Sequence, residues 1–250
     1  MSPSIAVAEL VAGCKDPIVI ADRGPVRIIV INRPLVRNAL TRQMRRDFGS
    51  YIAALDADAT VAVAVLTGMD PAFSAGVDLK ERAAGPPAPP VVPNPAEVLR
   101  AAHKPIIAAV NGACVTGALE MALSCSFLVA SERACFADTH AKLGMLPRWG
   151  QTALLPRAIG VRRARQLMLT GEVINARTGL EWGLVNEVVS SEGLLNRCVA
   201  IGVAIAGADQ ECAHLQLQAL REIDAIPLEV GLETERRALA QYAAARRMPP

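Results

Sequence analysis

The sequence predicts an α/β fold, and three observations carry that expectation. Two short apolar runs, VRIIVI at 26–31 and VAVAVL at 61–66, have the length and β-branched content of buried strands. Between them, residues 41–55 place Met44, Phe48, Ile52 and Leu55 at helical spacing, with Arg42, Arg45, Arg46 and Asp47 round the rest of the helix. Strand, helix, strand in that order implies a parallel pair joined by a crossover. From Pro147 the pattern turns almost wholly helical. An α/β core over residues 1–190 is therefore expected, followed by a helical region over 191–250 that needs something to pack against.

Each element has its own signal. The first strand runs into a loop at Asn32-Arg33-Pro34, and the helix starts near Asn38 or Thr41. Thr67-Gly68 closes the second strand, the loop FSAGVD follows at 73–78, and a short charged stretch occupies 79–82. Residues 85–95 (GPPAPPVVPNP) hold six of the 17 prolines; they fit neither helix nor central strand and are expected to cover a site or cross the surface. A third strand spans 106–110, Asn111-Gly112 turns the chain, and a helix covers 118–124 after Gly117. Short strands follow at 127–130 and 135–137, then helices at 162–169, 176–182, 194–206, 212–224 and 228–246.

Composition narrows the function. The 250 residues suit one compact domain, or one with a C-terminal appendage. Hydrophobic residues make up 52% but aromatics only 3%, so Ala, Val and Leu must build most of the core. With 26 Lys and Arg against 24 Asp and Glu, the chain lacks the basic excess of a nucleic-acid binder. Asn111, Thr116 and Glu120 interrupt the longest apolar stretches, so no membrane span is expected. Residues 1–13 are apolar but lack the basic start of a signal peptide. Six cysteines without a CxxC pair, beside three histidines, argue against a disulfide framework or a metal site and for a reducing, cytoplasmic setting.

The chemistry concentrates in two glycine loops, 66–77 after the second strand and 111–117 after the third. Beyond the carboxyl ends of strands lies the crevice where α/β sheets bind ligands. Gly117 also begins a helix, so its N–H is unpaired and aligned with the positive end of the helix dipole. One donor from each loop would form an oxyanion hole for a carbonyl gaining charge. A glycine after a strand is also the ordinary material of a turn, so the loops alone leave both readings open. Glu120 lies three residues past Gly117 in an otherwise apolar stretch (Ala118, Leu119, Met121, Ala122, Leu123). A desolvated carboxyl group there suits general acid–base work. A glutamate in a first turn also complements the dipole, worth under about 1 kcal/mol.

Several separated motifs, taken together, resemble the crotonase (enoyl-CoA hydratase/isomerase) superfamily. They are NRP at 32–34 with NAL at 38–40, FSAGVDLKE at 73–81, KPIIAAVNG at 104–112, GALEMALSCS at 117–126, FADTHAKLGMLP at 136–147 and LTGEVINARTGLEWGLVNEVV at 169–189. The resemblance is collinear over roughly residues 20–240. It implies a spiral of ββα units with a helical C-terminal region that trimerises it, often into a dimer of trimers. Acyl-CoA thioesters are the implied ligands. The implied oxyanion hole is the N–H of Val77, after Ala75 and Gly76, with that of Gly117, and no metal or redox cofactor is implied.

The resemblance assigns Glu120 to the first of two glutamates that hydratases carry. The second position falls on His140, which departs from the pattern; imidazole titrates near pH 6.5 and suits the role, with Asp138 to orient or replace it. Thr116 and Ala118 flank a single glycine where hydratases usually show two or three. Arg148 and Trp149 stand in a loop where relatives carry glycine, and are expected to narrow the acyl pocket or to fix a polar acyl group. Arg37, Asp78 and Lys80 complete the expected substrate contacts, with the two basic residues facing coenzyme A phosphates. The expected reaction is water addition to an enoyl-CoA. The alternatives are a non-catalytic acyl-CoA-binding homologue, or isomerisation or thioester hydrolysis run by Glu120 alone.

Overall fold

The computed structural model describes residues 5–84 and 89–223 together with Arg237. A short helix α1 (Val7–Leu10) precedes the hairpin β1 (Ile18–Arg23) and β2 (Val26–Ile31), and a 3-10 turn at Pro34–Val36 leads into α2 (Arg42–Ala57). Next come β3 (Val63–Gly68), β4 (Ala72–Ser74), α3 (Leu79–Ala84) and α4 (Pro95–Ala101). The pair β5 (Ile106–Val110) and β6 (Ala113–Val115) feeds α5 (Gly117–Leu123). The pair β7 (Phe127–Ser131) and β8 (Cys135–Ala137) feeds a 3-10 turn at Ala141–Leu143, then α6 (Gln151–Ile159) and α7 (Val161–Thr170). The rest is β9 (Val173–Asn175), α8 (Ala176–Trp182), β10 (Glu187–Val189), α9 (Leu194–Ala206) and α10 (Gln210–Ile223).

Three successive strand pairs each place one strand in a six-stranded sheet (β1-β2-β3-β5-β7-β10), the next in a four-stranded sheet (β4-β6-β8-β9), and then form helix. This is the expected spiral of ββα units. β2, β3, β5, β7 and β10 run parallel, with β1 antiparallel at the edge. Both faces of the larger sheet are buried, which is why its strands read as unbroken apolar runs. Ile29, Ile31, Ala64, Leu66, Ile106 and Ala108 face the core shared with α2, α4 and α5. Their alternates Ile28, Val30, Val63, Val65, Ile107 and Ala109 pack under α9 through Leu194, Leu195 and Cys198.

Helix α2 forms as its pattern predicts, with Met44, Phe48, Ile52 and Leu55 buried and Thr41 Oγ1 accepting the Met44 N–H as the N-cap. Several expectations are corrected. Strand pairing at β3 begins at Val63 rather than Val61, because a turn held by Val61 N–H to Asp58 C=O occupies the preceding residues. The proline-rich segment does not stay irregular to its end, since Pro95 opens α4 under an Asn94–Glu97 capping box. Strands β1, β4, β6, β9 and β10 and helix α6 were not expected. The apolar helix α9 finds its partner within its own chain, on the back of the sheet, so its composition alone does not require a second subunit. The expected helix at 228–246 lies outside the described residues. No helix among the described residues is long and apolar enough to cross a membrane.

Candidate active site

Parallel strands β6 and β8 end side by side, and their carboxyl ends deliver the chemistry to one place. Thr116 follows β6, donates its N–H to Ala137 C=O of β8 at 2.9 Å, and shares a 2.6 Å hydroxyl–hydroxyl bond with Thr139. Gly117 then starts α5, and Asp138 and His140 follow β8.

The two glycine loops meet as expected. A parallel bridge ties Leu40 to Val77, with Leu40 N–H bonded to Gly76 C=O and Asp78 N–H to Leu40 C=O. That pattern turns the Val77 N–H to the opposite side. Gly76 has φ +81°, and a Cβ there would stand 3.1 Å from the Gly117 nitrogen, pressing on the second donor itself. Gly76, the residue before Val77, therefore packs against the start of α5, which brings the two loops together. Ala75 is exposed, and its N–H is held by Arg37 C=O at 2.9 Å.

Glu120 is 2% exposed, one turn into α5. Its Oε1 accepts the backbone N–H of Trp149 at 2.7 Å and of Gln151 at 3.2 Å. Its Oε2 lies 3.7 Å from His140 Nε2. Burial pushes its pKa above the ordinary carboxylate range, against the two amide donors, which favour the ionised form. His140, also buried, meets Asp138 Oδ1 through Nδ1 at 2.6 Å. Asp138 Oδ1 also accepts the His140 N–H at 3.0 Å, while its buried Oδ2 has no protein partner. A carboxylate can only accept, so Nδ1 carries a proton and Nε2 is the nitrogen turned toward Glu120.

The remaining expected residues divide. Trp149 is half-buried with its indole against Gly117, where a Cβ would meet ring carbons at 3.0–3.5 Å. Arg148 beside it is exposed. The Asp78 carboxylate pairs with Arg33 at 2.9 Å and caps α3 through the Lys80 and Glu81 N–H groups, so it shapes the loop. Arg37 and Lys80 are exposed. Sequence reasoning missed Gln151, whose backbone serves Glu120, and Arg100, which bonds Trp149 C=O. A separate cleft of about 460 Å³, lined in part by His103, Lys104 and His214, lies at the amino-terminal ends of β2, β3 and β5 and contains none of these groups. Among the described residues no three His, Cys, Asp or Glu side chains gather as metal ligands.

Residues 22–248 match the sequence profile of the enoyl-CoA hydratase/isomerase family. The chain belongs to that family. It is 32% identical to the 2,3-dehydroadipyl-CoA hydratase of Escherichia coli K12, over 91% of this chain and 90% of that one. It is 33% identical to the crotonyl-CoA hydratase of Syntrophomonas wolfei, over 82% and 81%. The crystal structure of the enoyl-CoA hydratase from Mycobacterium tuberculosis H37Rv superposes with a TM-score of 0.76 at 40% identity, covering 92% of this chain and 100% of that one.

Proposed function

We propose that this enoyl-CoA hydratase/isomerase family member adds water across the 2,3 double bond of an enoyl-CoA thioester. The observation that carries the reading is the convergence of His140 Nε2 on Glu120 Oε2, 3.7 Å away on the helix that Gly117 opens. A water between them lies within hydrogen-bond reach of both. The N–H groups of Val77 and Gly117 hold the thioester oxygen and stabilise the charge it gains as the double bond is attacked.

The environments divide the labour. His140, with Nδ1–H committed to Asp138, takes a proton from water at Nε2 as the oxygen bonds to C3. The π electrons move onto the thioester oxygen. Glu120, whose pKa burial raises toward that of a proton donor, delivers a proton to C2 as the enolate collapses, and the His140 proton returns to Glu120 across the short gap. One O–H and one π bond break, one C–O and one C–H form, and no group is oxidised. The reading therefore calls for no redox cofactor or metal, and coenzyme A enters as part of the substrate. Trp149 narrows the acyl space beside Gly117 with Arg148 next to it, while Arg37 and Lys80 serve the phosphates. Six unpaired thiols fit a reducing compartment, which we take to be the cytoplasm. A core over 1–190 with an oligomerisation region over 191–250, assembled as a homotrimer or dimer of trimers, completes the proposal.

The test is loss of enoyl-thioester absorbance with crotonyl-CoA and a longer enoyl-CoA. Glu120→Gln is expected to lower turnover by about 10²–10⁴-fold, the usual contribution of one acid–base group, and His140→Ala by a comparable factor. Acyl-CoA binding without turnover in the wild type overturns the reading in favour of a binding protein. Double-bond migration without hydration overturns it in favour of isomerisation.

A further inference from the structure

Glu120 is gripped at both ends, and both grips lead to one side chain. Its carboxylate accepts the Trp149 N–H at 2.7 Å, and its backbone carbonyl accepts the Ser124 hydroxyl at 2.7 Å. Arg100 Nη1 donates to Trp149 C=O at 2.8 Å and to Ser124 Oγ at 2.8 Å. The four residues thus close a ring of hydrogen bonds that runs from α4 through the loop before α6 and back through α5. Between the two loop amides that hold the carboxylate lies Gly150 (φ +121°), where a Cβ would stand 3.1 Å from Arg100 Nη1. The guanidinium therefore rests directly against the loop. The same loop sets the Trp149 indole on Gly117, next to the oxyanion donor.

Arg100 is rigidly presented. Helix α4 is fixed by its Asn94–Glu97 capping box and by buried Val98 and Leu99, and Arg100 itself is half-buried. Neither Trp149 C=O nor Ser124 Oγ has another cation within bonding distance among the described residues.

We infer that Arg100 is a positioning residue for the reaction centre: it touches no reacting atom, but it fixes the loop that orients the Glu120 carboxylate and the Trp149 wall. This rests on the hydratase reading for its kinetic half and on geometry alone for its structural half. Misplacing a reacting group by about 1 Å is enough to cost on the order of 10²-fold in rate without touching affinity.

The experiment uses the full chain carrying Trp182→Phe, which leaves Trp149 as the sole tryptophan. Arg100→Met is expected to lower kcat on crotonyl-CoA by about 10–100-fold with KM within roughly threefold. Acrylamide quenching of Trp149 is expected to rise about twofold as the loop loosens, and added guanidinium ion to restore part of kcat. Arg100→Lys, able to keep one of the two bonds, should fall between. Should Arg100→Met not fold, Arg100→Lys and Ser124→Ala carry the same comparison. A folded variant with unchanged kcat and quenching overturns the inference, as does a rise in KM alone. A wild type without turnover defeats the hydratase reading, yet the quenching comparison still decides whether Arg100 holds the loop.

Discussion

Glu120 is a carboxyl group buried among apolar side chains, yet supplied with two amide donors on one oxygen only. Its raised pKa has a consequence for stability. An acid whose folded pKa exceeds its unfolded value binds protons more tightly when native, so that stability is present at low pH and is lost as pH rises through the folded value. Above that value the ionised, buried group works against the fold. Gln at this position keeps an oxygen for the Trp149 and Gln151 amides and removes the charge. Glu120→Gln is therefore expected to melt roughly 2 °C higher than wild type at pH 8, the response of a chain this size to less than about 1 kcal/mol, with the gap closing toward pH 4. Scanning calorimetry across that range checks it, and a variant less stable at pH 8 refutes it. Glu120, Gly76 and Gly117 were legible because one helix and two strand ends carry them in an apolar context. His140 and Asp138 were legible only through the resemblance, since nothing local marks a histidine after a three-residue strand. Arg100, Ser124 and Gln151 sit on three separate segments and are joined to the site through backbone groups and a hydroxyl, which no sequence pattern displays.

At the scale of elements, the start of α5 carries the strain. Thr116 sits at φ +57°, ψ −114°, a conformation that costs a residue with a Cβ about 1–3 kcal/mol. Its hydroxyl contact with Thr139 offsets part of that cost and fixes the direction of the Gly117 N–H. Thr116→Ala removes the contact but keeps the strain, whereas Thr116→Gly removes both. The glycine variant is thus expected to be the more stable of the two by about 1 kcal/mol, the reverse of their order in an ordinary helix. Urea unfolding of the pair decides it, and an alanine variant as stable as glycine would show the backbone to be unstrained. Long apolar runs and full helical periods were the elements the sequence revealed most directly, among them β2, α2, β5, α8 and α9, and the apolar Cys135–Ala137 marked β8 despite its length. Strands of three residues, such as β4 and β6, are too short to display an alternation. Helix α6 was hidden by its internal Pro156, and α4 by the prolines before it, although Asn94, Pro95 and Glu97 spell out an N-cap, a first-turn proline and a capping box.

For the molecule as a whole, the case for assembly has to come from surface rather than from α9, which is already covered by its own sheet. Leu169 and Val173 are 76% and 67% exposed on either side of Gly171, whose carbonyl accepts Lys142 Nζ at 2.7 Å. Leu143, next to Lys142 in the 3-10 turn, is exposed as well, and Val173 lies on β9, at the edge of the smaller sheet. Exposed apolar side chains near a sheet edge are costly to leave in water, and a subunit contact there would cover them. Leu169→Glu combined with Val173→Glu places two charges there without entering the core, so the fold should persist while the assembly does not. Light scattering at micromolar concentration is expected to give a multiple of the chain mass for wild type and a smaller species for the double variant, with unchanged far-ultraviolet circular dichroism. A monodisperse wild-type monomer refutes the assembly. A double variant that stays fully assembled moves the interface to another face.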